Sequence, residues 1–301
     1  MTVAEFELQE YLKQRTALVD AALQTWLPSE ALLPERLHEA MRYSVFAGGK
    51  RLRPVLMMAA AEAVGGRAEQ VEHAACAMEM LHTYSLIHDD LPAMDNDDYR
   101  RGRPTSHKIY GEAMAILAGD ALLTEAFRLL ADTRANASVP AATTARVIEL
   151  VARFAGSRGM VGGQVVDMES EGKAIDLPTL EYIHTHKTGA LILASIQVGG
   201  LLAGADDDDL RALTRYGEAV GLAFQIADDI LDVVGDQTAL GKQVGADQAR
   251  GKATYPALIG LEQARNRADE LCQLAQDALS RFGTDSEPLR QIACYVVKRT
   301  S

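Results

Sequence analysis

Two runs of aspartate are embedded in otherwise apolar, helix-forming sequence: Asp89-Asp90-Leu91-Pro92-Ala93-Met94-Asp95 beside Ser85-Leu86-Ile87-His88, and Asp228-Asp229-Ile230-Leu231-Asp232 beside Phe224-Gln225-Ile226-Ala227. An ionised carboxylate inside a helix bundle is strongly unfavourable unless a cation or dense hydrogen bonding compensates it. A single acidic run reads equally well as a solvated helix end. Two Asp-Asp-led runs in one apolar chain are expected to form two walls of one site. Oxygen donors without thiolates select hard cations, and Mg²⁺ is typically held by one or two carboxylates while it bridges to phosphates.

The rest of the composition narrows what such a site can serve. With 301 residues and 48% hydrophobic content the chain can bury a large core, and no Ser/Gly-rich or Pro-rich linker divides it, so residues 1–301 are expected to be one domain. A net charge of -12 argues against nucleic acid as a partner, which needs a continuous basic surface. Local basic clusters at Lys50, Arg51 and Arg53, and at Arg100, Arg101 and Arg103, still leave room for a small anionic substrate. Cys76, Cys272 and Cys294 are odd in number, far apart in sequence and without CxxC spacing, which disfavours a disulfide framework and a thiolate metal site. Residues Met1 to Glu10 have neither a basic nor an apolar leader region, and no uncharged apolar stretch reaches roughly 18 residues. A cytoplasmic protein without membrane insertion is the expectation.

The pattern along the chain is helical at the 3.6-residue period, rich in Ala, Leu, Glu and Met, and no strand is expected. Helices are placed at 4–26, 30–47, 54–64, 69–91, 106–132, 141–157, 178–203, 207–234 and 254–281, an all-α bundle. Asp228 and Asp232 are four residues apart and share a helix face, with Asp229 about 100° to the side. Asp89 and Asp95 would lie about 120° apart on an unbroken helix. Pro92 resolves this, because it ends or kinks the helix near Leu91 and lets the chain bring Asp95 back toward Asp89.

Other residues are candidates for holding an anion. Gly48-Gly49 followed by Lys50, Arg51, Arg53 and Pro54 combines exposed backbone N–H groups with a helix start, although a glycine helix stop followed by ordinary surface basics would look the same. Lys187-Thr188-Gly189 interrupts an apolar helix and can supply an ammonium and a hydroxyl, or simply snorkel to the surface. Gly162-Gly163-Gln164 with Asp167 is a polar irregularity that suits either structure or support of the site. His82 lies two helical turns before Asp89 on the same face; a lone histidine there suits a core position as well as a ligand.

In their order and spacing these motifs resemble the trans-isoprenyl diphosphate synthases, the polyprenyl synthetase family, and within it the bacterial farnesyl diphosphate synthase type. The two-residue Pro92-Ala93 insertion, Arg100-Arg101-Gly102, Gly163-Gln164 with Asp167, Lys187-Thr188, Phe224-Gln225 and Gly241-Lys242 all take part, and the likeness spans nearly the whole chain. It implies an all-α bundle around a deep central cavity, a homodimer, and Mg²⁺ as cofactor, roughly three ions per site with substrate bound. By position it implies metal carboxylates at Asp89, Asp90, Asp95, Asp228 and Asp232, and allylic diphosphate held by Arg100, Lys187, Thr188, Gln225 and Lys242. Isopentenyl diphosphate would be held by Lys50, Arg53, His82 and Arg101, with Gln164, Asp167 and Asp229 supporting from behind. The catalytic set would be Asp89, Asp95, Arg100, Lys187, Asp228 and Lys242, and Lys298-Arg299 would be candidates to close over the substrates. Chain length would be set by Tyr84 and Ser85, five and four residues before Asp89, where an aromatic ring goes with a C15 product. A geranylgeranyl diphosphate synthase, a class I terpene synthase and a non-catalytic regulatory subunit are the alternatives, the last opposed by intact motifs.

Overall fold

Two helices that are apolar on nearly every face organise the bundle: α3 (Leu52–Ala63), with nine buried residues, and α10 (Ala190–Leu202), with ten. The computed structural model describes residues 6–234 and 253–298. In it α3 sends Met57, Met58 and Ala61 into one hydrophobic cluster and Val55, Leu56 and Ala59 into a second. α10 divides likewise, with Leu191, Ala194 and Val198 on one side and Ile192 and Ile196 on the other. A helix without a polar stripe has to be buried on all sides, and these two form the shared wall.

Around that wall the elements follow the expected order. The first cluster is built from α1 (Leu8–Trp26), α2 (Glu35–Val45), α4 (Glu72–Asp89), α6 (Glu112–Leu130) and α7 (Ala141–Ala155). The second gathers most of α11 (Asp207–Val234) with the Leu261–Ala278 and Glu287–Lys298 helices. The two aspartate runs therefore belong to helices in different halves of the core, joined through α3 and α10.

Several sequence expectations need correction. The span expected at 106–132 is broken by Gly111 (φ 87) into α5 (Ser106–Tyr110) and α6, and that at 254–281 is broken by Gly260 (φ 87) into Tyr255–Ile259 and Leu261–Ala278. A left-handed φ at glycine costs little and ends a helix without ending the pattern that the flanking residues display. α8 (Met160–Ser170) and the final Glu287–Lys298 helix were not anticipated, and a short hairpin pairs Tyr99–Arg100 with Arg103–Pro104 where no strand was expected. The span 178–203 is one continuous helical run, α9 (Leu177–Ile183) to α10, with a π-helical turn at His184–Gly189 between them. Cys272 and Cys294 are free thiols, and packing of the last two long helices brings their Sγ atoms to 3.8 Å. Among the described residues no helix is long and apolar enough to cross a membrane.

The contact between α3 and α10 depends on Gly199. A Cβ there would collide with the Met57 carbonyl oxygen of α3. Gly199→Ala is expected to force the two helices apart and lower stability by about 2 kcal/mol, within the range for overpacked cores. Urea denaturation of the variant against the parent chain measures this, and unchanged stability would show that the wall yields more easily than its geometry implies.

Candidate active site

α4 ends at Asp89, and beyond Pro92 the chain turns back, so that the Asp95 N–H donates to the Asp89 carbonyl at 2.8 Å and the Asn96 N–H to that of Leu91 at 3.1 Å. The proline therefore does what its chemistry requires and returns Asp95 to Asp89. Burial pushes the Asp89 carboxyl up to about 6; Asp95 and Asp90 push in the same direction, while Lys187 and Arg100 oppose. Burial is the leading cause, so a further cation beside it would favour the ionised form. Asp90 points elsewhere: it is 4% exposed and gripped by Arg100, whose Nε and Nη2 donate to its Oδ1 at 2.8 and 2.6 Å. Asp90, expected beside a metal, and Arg100, expected on a diphosphate, are thus joined to each other in this structure.

The hairpin explains how Arg100 and Arg101 part company. Its turn is made by Arg101 (φ 53) and Gly102 (φ 73), which sends Arg100 back to Asp90 and Arg101 across to the Gly48 carbonyl. The Arg101 guanidinium occupies the space a Cβ on Gly49 would need. Gly48 (φ 90), Gly49 (φ 130) and Arg51 (φ 48) form a left-handed loop into the start of α3. A non-glycine residue in that region is strained, and here three bonds hold it: Arg51 donates to Glu79 at 2.7 Å, to Asp20 at 2.9 Å and to the Val45 carbonyl at 2.8 Å.

This loop lies beside a cluster with surplus positive charge. Burial pushes the Arg53 guanidinium down to about 10, with Glu79 opposing the effect and Arg101 adding to it, and the buried Arg53 Nε has no hydrogen-bond partner among the described residues. His82 is held well below its usual range by burial and then by Arg53, Arg101, Arg100 and Arg51, so its imidazole is neutral near pH 7. Lys50 stands exposed at the rim. Arginines crowded around a neutral histidine, with an unsatisfied guanidinium nitrogen among them, make a receptor for an anion.

The second wall comes from α11. Asp228 is exposed and Asp232 half-buried, while Asp229 turns inward, as its place off the shared face of the other two predicts. Gln225 and Asp229 line a cavity of about 140 Å³ with Asp167, Lys187, Thr188 and His184. Lys187 donates to Asp167 at 2.7 Å. Burial works against its charge, but Asp167, Asp89 and Asp95 outweigh it and raise its pKa. One ammonium thus connects the first aspartate run, α8 and the cavity beneath the second run. Gln164, one turn before Asp167, buries both polar atoms of its amide without a hydrogen-bond partner among the described residues. Lys242, with Gly241, and Arg299 lie outside the described residues, and Lys298 is exposed at the end of the last helix.

Just below Asp89 on α4, Tyr84 is 7% exposed and meets the His88 ring edge-on at 5.8 Å. Burial, followed by the charge of Asp89, pushes its phenol up to about 12. Ser85 satisfies its hydroxyl within the helix, donating to the His82 carbonyl at 2.8 Å. A larger cavity, about 920 Å³, opens on the other side of the His184–Gly189 turn, lined by Arg158, His186, Arg215, Leu222 and Leu271; no residue of the aspartate runs borders it. Among the described residues no three acid, histidine or cysteine groups converge as a ready-made metal cage. Glu79 and His184 are the site residues that sequence reasoning passed over, and Arg51, read there as part of an anion-holding segment, is instead tied to Glu79 and Asp20; His184, three residues before Lys187, was the one that spacing could have marked.

The polyprenyl synthetase family model matches residues 34–287. The geranylgeranyl diphosphate synthase of Cyanophora paradoxa is 47% identical over 98% of this chain and 98% of its own length. The farnesyl diphosphate synthase of Geobacillus stearothermophilus is 46% identical over 99% of each chain. Among solved structures, an FPP/GFPP synthase from Zymomonas mobilis superposes with a TM-score of 0.86 at 39% identity, covering 96% of this chain and 98% of that one.

The Arg51–Glu79 pair is inaccessible on both sides, at 2% side-chain exposure each, whereas Asp20 is 45% exposed. Removing one partner of a buried pair leaves an uncompensated charge, so Glu79→Gln is expected to cost about 3 kcal/mol, against less than about 1 kcal/mol for Asp20→Asn. Parallel denaturant titrations decide; equal losses would mean that the two pairs are equivalent.

Proposed function

This chain belongs to the polyprenyl synthetase family and is a prenyltransferase, and from that premise we propose that it condenses isopentenyl diphosphate head-to-tail with dimethylallyl and then geranyl diphosphate to give (2E,6E)-farnesyl diphosphate. The observation that carries the proposal is the pairing of two unlike subsites on one helix. His82 and Asp89, seven residues apart on α4, stand about 10 Å apart along its axis. One lies among the arginines and the other at the acidic run beside Lys187.

In this reading Lys50, Arg53, His82 and Arg101 hold isopentenyl diphosphate, and Lys187, Thr188, Gln225 and Arg100, with Lys242, hold the allylic diphosphate. Asp89, Asp95, Asp228 and Asp232 supply oxygen ligands to Mg²⁺, and Gln164, Asp167 and Asp229 support them. Asp90 enters the metal set only if Arg100 releases it. The residues fit such an ion, because every donor is an oxygen and burial raises the Asp89 carboxyl despite the nearby Lys187 and Arg100, so a further cation would favour its ionised form. When bound, Mg²⁺ would offset the charge developing on the diphosphate leaving group.

The chain's own groups contribute position and electrostatics. Lys187 adds a fixed positive charge where the allylic C1–O bond breaks, and no side chain has to act as nucleophile. The arginine cluster holds the second substrate so that its C4 attacks C1 of the allylic cation, forming the new C–C bond; loss of a proton from C2, with diphosphate as base, restores the double bond. The apolar faces below Asp89 keep water from the cation. Tyr84, buried beneath Asp89, is a stop for a growing chain and favours C15. A C20 product is the second reading, favoured by the 47% identity to a geranylgeranyl diphosphate synthase.

We also read residues 1–301 as one polyprenyl synthetase domain working as a homodimer in the cytoplasm. Ile116 and Leu117 on α6, with Val161, Val165 and Met168 on α8, are exposed apolar side chains of the kind a second copy would cover.

Incubation with Mg²⁺, isopentenyl diphosphate and dimethylallyl diphosphate, then dephosphorylation and separation of the alcohols, tests the assignment. Farnesol is expected. Geranylgeraniol would favour the second reading, and product formed from an allylic diphosphate alone would replace condensation with a terpene synthase reaction. Tyr84→Ala is expected to shift the product toward C20 or longer in the same assay; an unchanged C15 alcohol would remove Tyr84 from the role.

A further inference from the structure

Asp229 stands in the second aspartate run but is committed elsewhere. It is 6% exposed, and its Oδ2 accepts hydrogen bonds from His184 Nε2 and from the Tyr255 backbone N–H, both at 2.9 Å. With its proton on Nε2, the His184 ring donates to this oxygen. His184 is itself buried and lies nearly parallel to the Tyr255 ring at 5.8 Å, and the Tyr255 hydroxyl donates to Glu181 at 2.5 Å. The network therefore spans from α9 through α11 to the start of the Tyr255–Ile259 helix.

His184 opens the π-helical turn that carries Lys187 and Thr188. Such a turn is a rare departure from α-helical hydrogen bonding and persists where its surroundings impose it. Two of its constraints are backbone contacts made possible by glycine. A Cβ on Gly163 of α8 would collide with the Lys187 backbone nitrogen, and one on Gly221 of α11 would come within 3.2 Å of the Gly189 Cα. These contacts press on the later part of the turn, at Lys187 and Gly189. At its beginning the polar tie to α11 is the bond from His184 to Asp229.

We propose that the His184–Asp229 hydrogen bond positions Lys187 and Thr188 toward the allylic diphosphate, which makes His184 a positioning residue and Asp229 its anchor. The proposal rests on the function assigned above for the identity of the substrate. The geometry that carries it does not: a ring nitrogen and a carboxylate, both buried, tie the first residue of an irregular turn to the helix bearing the second aspartate run.

The test uses the full chain and compares His184→Phe, which keeps a ring against Tyr255 but has no donor, with His184→Gln, whose amide can still donate to Asp229. His184→Asn, too short to reach Asp229, takes the place of the Phe variant should that variant fail to fold. Binding of inorganic pyrophosphate with Mg²⁺ is measured by calorimetry, and KM is measured separately for the allylic diphosphate and for isopentenyl diphosphate. The donor-less variant is expected to bind pyrophosphate about tenfold more weakly and to raise the allylic KM by about the same factor, with the KM for isopentenyl diphosphate within about twofold of the parent and the Gln variant close to it. Equal changes in both KM values, no change in either, or a Gln variant as impaired as the Phe variant would overturn the proposal. Parent protein that binds pyrophosphate with Mg²⁺ but forms no prenyl product would instead sink the assigned function, and the binding comparison would still decide the role of His184.

Discussion

An ammonium taken out of water has to find carboxylates, and the Lys187 ammonium finds them on two other elements: Asp167 of α8 at 2.7 Å, and Asp89 and Asp95 at the end of α4. The constraint acts in both directions. Lys187 keeps its charge despite burial because three acids surround it, and Asp89 is less destabilised than its burial alone would make it because Lys187 and Arg100 lie near. Much of the site follows from this balance, since each wall would carry unmatched charge without the other. Burial still leaves the Asp89 carboxyl raised to about 6.

The same helix carries the opposite imbalance two turns earlier. Around His82 the arginines outnumber their counter-charges, with Glu79 turned to Arg51 and Asp90 turned to Arg100. α4 therefore presents an acid-rich end and a base-rich middle on a chain whose net charge is -12. Such segregation can hold two anionic substrates by different means, one through a shared cation and one through guanidinium groups. Glycine makes the close approaches possible: Gly49 leaves room for the Arg101 guanidinium, Gly163 for the Lys187 backbone, and Gly199 for the contact of α10 with α3.

What could be read in advance was local. The spacing of Asp228, Asp229 and Asp232 placed Asp229 off the shared face, and it is buried; Pro92 required the chain to turn, and Asp95 returns to Asp89. The 207–234 helix coincides with α11 because its period is unbroken. Gly111 and Gly260 were legible as residues but not as breaks, since the hydrophobic period continues across them. The Arg100–Asp90 pair, the Arg51 clamp and the His184–Asp229 bond were not legible: their partners are 10, 28 or 31, and 45 positions apart in the chain, and periodicity does not report which long side chain meets which.

Sequence by itself determined the residue types and the helical faces: which carboxylates exist, which of them share a face, where proline must turn the chain, and that α3 and α10 must be buried all round. Tertiary structure alone decided the pairings, turning Asp90 to Arg100 and Asp229 to His184, bringing Lys187 to Asp89, and facing Cys272 with Cys294 at 3.8 Å. The reason is physical. Hydrophobic periodicity is a property of neighbouring residues and survives in any fold that buries the same face, whereas the partner of a buried charge is set by which helices happen to meet, and that follows from the packing of the whole chain.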